Sequence, residues 1–158
     1  MGLALSPAAW GAHGKPGLWE ITIKNNAGNM AGMPDMSRLP PQARAQMQAR
    51  GIQMNSAGMT SRYCMTAADV ANDKPVLTHN ASCQAKNMKT VGNTFSADLV
   101  CTGKVVGTGH VQITYASPEH YYGRETVAMT VHGTQMHTDM SMDGRWLSAD
   151  CGKVKPRH

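Results

Sequence analysis

At 158 residues the chain has the size of one ordinary domain and is too short for two independent cores. Its formal charge of +5 comes from Lys and Arg scattered singly, with no basic run interleaved with aromatics, so nucleic acid is not an expected partner. No stretch approaches the ~20 apolar residues of a membrane-spanning helix, and one Phe, three Trp and four Tyr against 13 Met make for a light core rich in sulfur.

The opening "MGLALSPAAWGAHGKPG" is small and apolar up to Ala9-Trp10-Gly11, which fits a small-x-small cleavage site. Residues 1–12 are therefore read as the remnant of a signal peptide without its basic start, and residues 13–158 as a single β-rich domain. Cleavage after Gly11 would leave Ala12-His13 at the new N-terminus, where amine, amide and imidazole nitrogens can hold Cu(II).

In "KPGLWEITIK" a Pro16-Gly17 turn precedes strict alternation: Trp19, Ile21 and Ile23 on one face, Glu20, Thr22 and Lys24 on the other. This predicts a half-buried strand. Residues 25–58 break the pattern with a Met-rich loop and then a helix in "PPQARAQMQARG", where paired prolines precede good helix formers and Gly51 offers a C-terminal cap. Its apolar stripe is only Leu39, Ala43 and Met47, enough to cover a sheet edge or a barrel mouth. "TSRYCMTAADVAND" predicts a short strand through Tyr63 and Cys64, and then Thr66 three residues before Asp69, the pattern of a capping box opening one or two helical turns.

From Cys83 to Cys151 the signal is almost all strand. Four widely spaced cysteines without a C-x-x-C point, in an exported chain, to two disulfides rather than zinc. Three connectivities are open to four cysteines, and "CQAKNMKTVGNTFSADLVC" favours one of them. A hairpin turning at Val91-Gly92-Asn93 sets Cys83 opposite Cys101, and Cys64 is left to join Cys151. Further on, Val105, Val111, Ile113 and Tyr115 alternate with Thr108, His110, Gln112 and Thr114. Gly107 and Gly109 lie inside that strand, where they allow a bend or a close backbone approach.

The last hairpin can be argued to its register. A two-residue turn at His132-Gly133 pairs Val131 with Thr134, Met129 with Met136 and Val127 with Thr138; a slip by one would set that apolar face against Gln135, His137 and Asp139. The expected fold is mainly β: an antiparallel meander forming a half-barrel or small barrel, lipocalin-like, with one or two short helices in the N-terminal half.

The order of "KPGLWE", a Met-rich stretch, "RYCMTAADV", later cysteines and a closing "GRWLSADC" resembles a family of small exported bacterial proteins, domain of unknown function (DUF) 3617, over nearly the whole chain from Lys15 to Cys151. The resemblance implies export to the periplasm or the medium, a β-rich fold and no assigned activity.

Hydrolase and phosphate-binding patterns are absent: there is no G-x-S-x-G, no H-E-x-x-H, and "GKVVGTG" lacks the P-loop order. Glu119-His120 beside Tyr121 and Tyr122 is the best polar cluster, yet "SPEHYYG" also reads as a plain turn, so no catalytic residue is assigned and an enzyme is not expected. Asn80 to Ser82 match a glycosylation sequon.

The methionines remain. Met30, Met33 and Met36 recur at three-residue spacing in a stretch rich in Gly, Asn and Pro, outside any core period. Thioethers are soft donors suited to Cu(I) or Ag(I), so these three, with Met54 and Met59, form a metal-site hypothesis, against which stands a Met-rich flap that merely covers the barrel. Met129, Met136, Met140 and Met142 continue the apolar face of the last hairpin, as core filler or, with Trp19 and Trp146, as walls of a ligand pocket. The reading is thus of a non-catalytic exported protein that captures a soft metal, with carriage of a small apolar ligand or a structural role in a cell-envelope assembly as alternatives. No cofactor is certain beyond this Cu(I) hypothesis.

Overall fold

The computed structural model describes residues 14–26, 39–49, 51–55, 58–71 and 83–156. In chain order these form β1 (Gly17–Asn25), α1 (Pro41–Ala49), β2 (Gln53–Asn55), β3 (Gly58–Met65), α2 (Ala67–Ala71), β4 (Cys83–Val91), β5 (Thr94–Cys101), β6 (Val105–Ser117), β7 (His120–Val131) and β8 (Thr134–Ser148). All eight strands join one antiparallel sheet in the order β2-β3-β1-β8-β7-β6-β5-β4. Among the described residues the sheet does not close, and β2 and β4 are its outermost strands, so the architecture is the expected half-barrel.

β4 to β8 form a meander through short turns, as the sequence predicts. Between β7 and β8 the pairs Val131 with Thr134, Met129 with Met136 and Val127 with Thr138 are the expected ones, and the register runs unbroken to His120 with Arg145. His132 and Gly133 both take positive φ, the requirement of a type I′ turn, whose twist matches that of the strands. β4 and β5 differ from expectation in one detail. Their turn is Gly92-Asn93, and a bulge between Lys86 and Lys89, with Asn87 at φ 49°, absorbs the extra residue before Cys83 reaches Cys101.

The N-terminal part follows a longer route. β1 inserts between β3 and β8, so the first strand is central in the sheet. α1 begins with Pro41 in its first turn, its N–H groups at Ala43 and Arg44 bonding the Pro40 carbonyl, and Gly51 with φ 74° follows its end. Leu39, Ala43 and Met47 are half-buried and none of the helix is fully buried, which suits a cover rather than a core element. At α2 the capping box is reciprocal: Asp69 N donates to Thr66 Oγ1 at 3.1 Å and Thr66 N donates to Asp69 Oδ2 at 3.0 Å.

Both disulfides have the predicted pairing, Cys83–Cys101 and Cys64–Cys151. The first staples β4 to β5; the second ties β3 to the segment after β8, where Cys64 also bridges Pro156. Among the described residues no helix is long and apolar enough to cross a membrane.

The core lies on one face of the sheet. Trp19, Ile21, Tyr63, Met65, Phe95, Ala97, Leu99, Val111, Ile113, Tyr121, Val127 and Met142 are buried in one cluster. Curling is visible in its contacts, since the Trp19 ring on β1 lies 5.4 Å from that of Tyr121 on β7 although β8 runs between the two strands. The curl needs small residues. A Cβ on Gly107 or Gly109 would meet the β7 backbone at Ala128 and Thr126, which makes them the close-approach positions anticipated from sequence.

Candidate functional site

The inner face divides into two ends. One is aromatic and closed: Trp19 is 0 % exposed, Tyr121 packs against both Trp19 and Tyr115, and the hydroxyls of Tyr63 and Tyr121 meet at 3.1 Å. Indole N–H groups here have partners, Trp19 Nε1 donating to the Lys15 carbonyl at 2.8 Å and Trp146 Nε1 to the Pro16 carbonyl at 3.1 Å. Lys15 Nζ caps this end, 4.7 Å over the Trp146 ring and ion-paired to Glu119. Trp19 and Trp146 therefore belong to the filled end.

Toward the β7–β8 turn the inner face changes to thioethers. Register sets Met59 beside Ile23, and Ile23 beside Met142; Asn25 beside Met140, and Met140 beside Glu125; then Thr138 beside Val127, and Met136 beside Met129. Met142 is buried, whereas Met59, Met129, Met136 and Met140 are only half-buried. On β6 the neighbours of Glu125 and Val127 are Val111 and Gly109. This end is apolar, pliable and less completely covered.

Glu125 stands in its midst. Strand alternation from Val127 turns it inward, it is only 6 % exposed, and among the described residues its Oε2 has no hydrogen-bond partner. Burial pushes its carboxyl above the usual carboxylate range. Thr138 Oγ1, on the same face one pair along, is also buried without a partner among the described residues. Two polar groups left so in an apolar wall are costly, which is why such atoms are rare and mark sites.

The outer face follows the opposite rule. Glu20 pairs with Arg62 at 3.0 Å, Asp98 with His110 at 3.1 Å, Asp139 with Arg124, and Asp143 with His120 at 2.8 Å and Arg145 at 3.0 Å. Hydrogen bonds from Asn87 and His110 hold the Asp98 carboxyl low, and those from Arg124 and Asn26 do the same for Asp139. At Asp143 partial burial pulls upward, but His120 and Arg145 together outweigh it. The Glu119-His120 cluster singled out in the sequence is thus split: Glu119 engages Lys15, His120 engages Asp143, Tyr121 is core and Tyr122 is exposed.

Of the sequence-derived metal set, Met30, Met33 and Met36 lie outside the described residues. Met54 is in β2 with its backbone paired to Met59, and Met59 is on β3 facing the methionine end. Among the described residues no three His, Cys, Asp or Glu side chains gather as a metal site. Of the pocket set, Met129, Met136, Met140 and Met142 share the methionine end, while Trp19 and Trp146 do not. Sequence reasoning passed over Glu125 and Thr138. The signal was present, since both have the parity of Val127 and Met136 on an already aligned hairpin.

A family model described as "Protein of unknown function (DUF3617)" matches residues 14–151. A Pseudomonas putida protein described as "Uncharacterized protein in lpd-3 5'region" is 32% identical over 115 residues, which cover 65% of this chain and 78% of that one. No solved structure matches.

Proposed function

Since the chain belongs to the DUF3617 family, whose description carries no activity, we propose from its own residues that it is a non-catalytic, exported binding protein that holds a small apolar molecule at the methionine end of its half-barrel. Glu125 carries this reading: a buried carboxyl with an unpartnered oxygen, on a wall of half-buried thioethers. Binding sites for small molecules are mostly apolar with a few placed polar groups, and flexible Met side chains adapt to such ligands. Two disulfides suit an oxidising compartment, which agrees with a periplasmic or secreted location.

The test uses the neutral fluorescent probe phenylnaphthylamine. Saturable one-to-one binding is expected, lost in Val127→Trp, which fills the inner wall, and kept in Val106→Trp, on the exposed outer face. Absence of binding to the folded wild type, or equal binding by both variants, would sink the reading.

One observation favours soft-metal capture as a second function of the same end. β1 ends at Asn25 opposite Met140, and Asn26 N donates to the Asp139 carbonyl at 2.7 Å, so the segment carrying Met30, Met33 and Met36 follows directly from the methionine wall. Cu(I) prefers thioether donors, and cysteine is locked in disulfides. An anaerobic Cu(I) titration against a competing chelator is expected to show tight one-to-one binding that is lost when Met30, Met33 and Met36 are all replaced by Leu. Weak binding, equal in both, rejects it; a protein that binds neither probe nor metal is better read as an interaction module of the envelope.

A further inference from the structure

We propose that the molecule held at the methionine end carries one protonated amine, and that Glu125 is the carboxylate that receives it. The inference rests on the apolar-ligand reading above and names the polar group of the ligand.

Its basis is a charge imbalance between the two faces. On the outer face Glu20, Asp98, Asp139 and Asp143 are each paired with a basic side chain. The inner face reverses this. Around Glu125, β8 presents Thr138, Met140 and Met142, β6 presents Gly109, Val111 and Ile113, and the next strands on either side present Ala97, Ile23 and Asn25. None is basic or acidic. The sheet's basic residues, Lys24, Arg62, Lys86, Lys89, His110, His120, Arg124, His137 and Arg145, all alternate to the other face. Among the described residues, every strand carboxylate has a basic side chain beside it except the one that most needs it.

A buried carboxylate without a counter-charge is disfavoured relative to its protonated form; a cation beside it shifts the balance back to the ionised form and gains a charge-assisted hydrogen bond. A primary ammonium suits the place because its three donors can serve both orphaned acceptors, Glu125 Oε2 and, one pair along, Thr138 Oγ1. An alkyl chain then lies along Val127, Met129 and Met136 toward the half-covered rim. A carboxylate ligand would add a second acid to a wall that presents no cation, and an alcohol would leave the charge imbalance as it was.

The experiment displaces bound phenylnaphthylamine with decylamine, decanol and decanoate, on wild type, on Glu125→Gln and on the outer-face control Glu20→Gln. In wild type and Glu20→Gln, decylamine should compete at a concentration at least about tenfold lower than decanol, with decanoate weakest, as a charge-assisted bond over a neutral one implies. In Glu125→Gln that ratio should fall to about one. Should Glu125→Gln fail to fold, wild type alone decides: the decylamine advantage must shrink as pH is lowered and Glu125 takes up its proton. Equal competition by amine and alcohol in wild type, a preference for decanoate, or an amine preference that survives Glu125→Gln overturns the assignment while leaving the apolar site standing. A folded wild type that binds neither probe nor any of the three chains overturns both.

Discussion

The hydroxyls of Tyr63 and Tyr121 lie 3.1 Å apart, although they belong to β3 and β7, strands separated in the sheet by β1 and β8. Only a strongly curled sheet brings such positions together, so this bond is a lock on the curvature. Replacing either residue by Phe is expected to cost about 1–2 kcal/mol in urea unfolding, and the double variant less than the sum of the two, because the second change removes a partner already lost. Strict additivity would mean that the two hydroxyls do not act on each other.

Opposite Tyr121 on β8 stands Gly144, and a Cβ there would run into the Tyr121 ring. Gly144→Ala must displace a buried aromatic and should destabilise by roughly 2–3 kcal/mol, read as a fall in Tm. Gly92→Ala, at a turn where the added carbon meets nothing, pays only the backbone cost of its φ of 60° and should lose about 1 kcal/mol.

The disulfides predict an order. Cys83 and Cys101 are 18 residues apart and Cys64 and Cys151 are 87 apart. If chain entropy dominates, replacing the first pair by Ala costs about 3 kcal/mol and the second between about 4 and 5. Urea midpoints of the two double variants test this, and the reverse order would point to residual structure in the unfolded chain.

Glu125 and the outer-face aspartates oppose each other in pH. In the unfolded chain a Glu releases its proton near its ordinary value, but folded Glu125 holds it to higher pH, so stability from this group falls as pH rises between the two. Asp98 and Asp139 have lowered values when folded, so their contribution is present above about pH 4 and is lost as pH falls below it. Glu125→Gln should therefore gain stability over wild type, with a gap that opens near the ordinary glutamate value of about pH 4 and widens as pH rises until the folded carboxyl ionises. A gap independent of pH would place an ionised, solvated carboxylate at this position.

How much of this was legible depended on the range of the interaction. The β7–β8 register followed from local alternation and one two-residue turn, and the Thr66-Asp69 cap from a four-residue pattern. Insertion of β1 between β3 and β8 was not, because it joins segments over 100 residues apart with no turn to fix the pairing. The three-residue edge β2 carries too few alternations to be read at all. Glu125 was hidden differently. In "GRETVAM" a Glu between Arg124 and Thr126 reads as surface, and only the face assigned to Val127 shows that it points in.

The bulge in β4 also bears on life at high concentration. An open sheet offers its outermost strands as templates on which further copies can add, and this one has two such strands. β2 is only three residues long, and β4 is broken by the left-handed Asn87 and flanked by Lys86 and Lys89. Neither gives another chain a straight run of donors and acceptors to pair with. The irregularity that takes up the extra residue of this hairpin thus makes its outermost strand a poor template for a second copy.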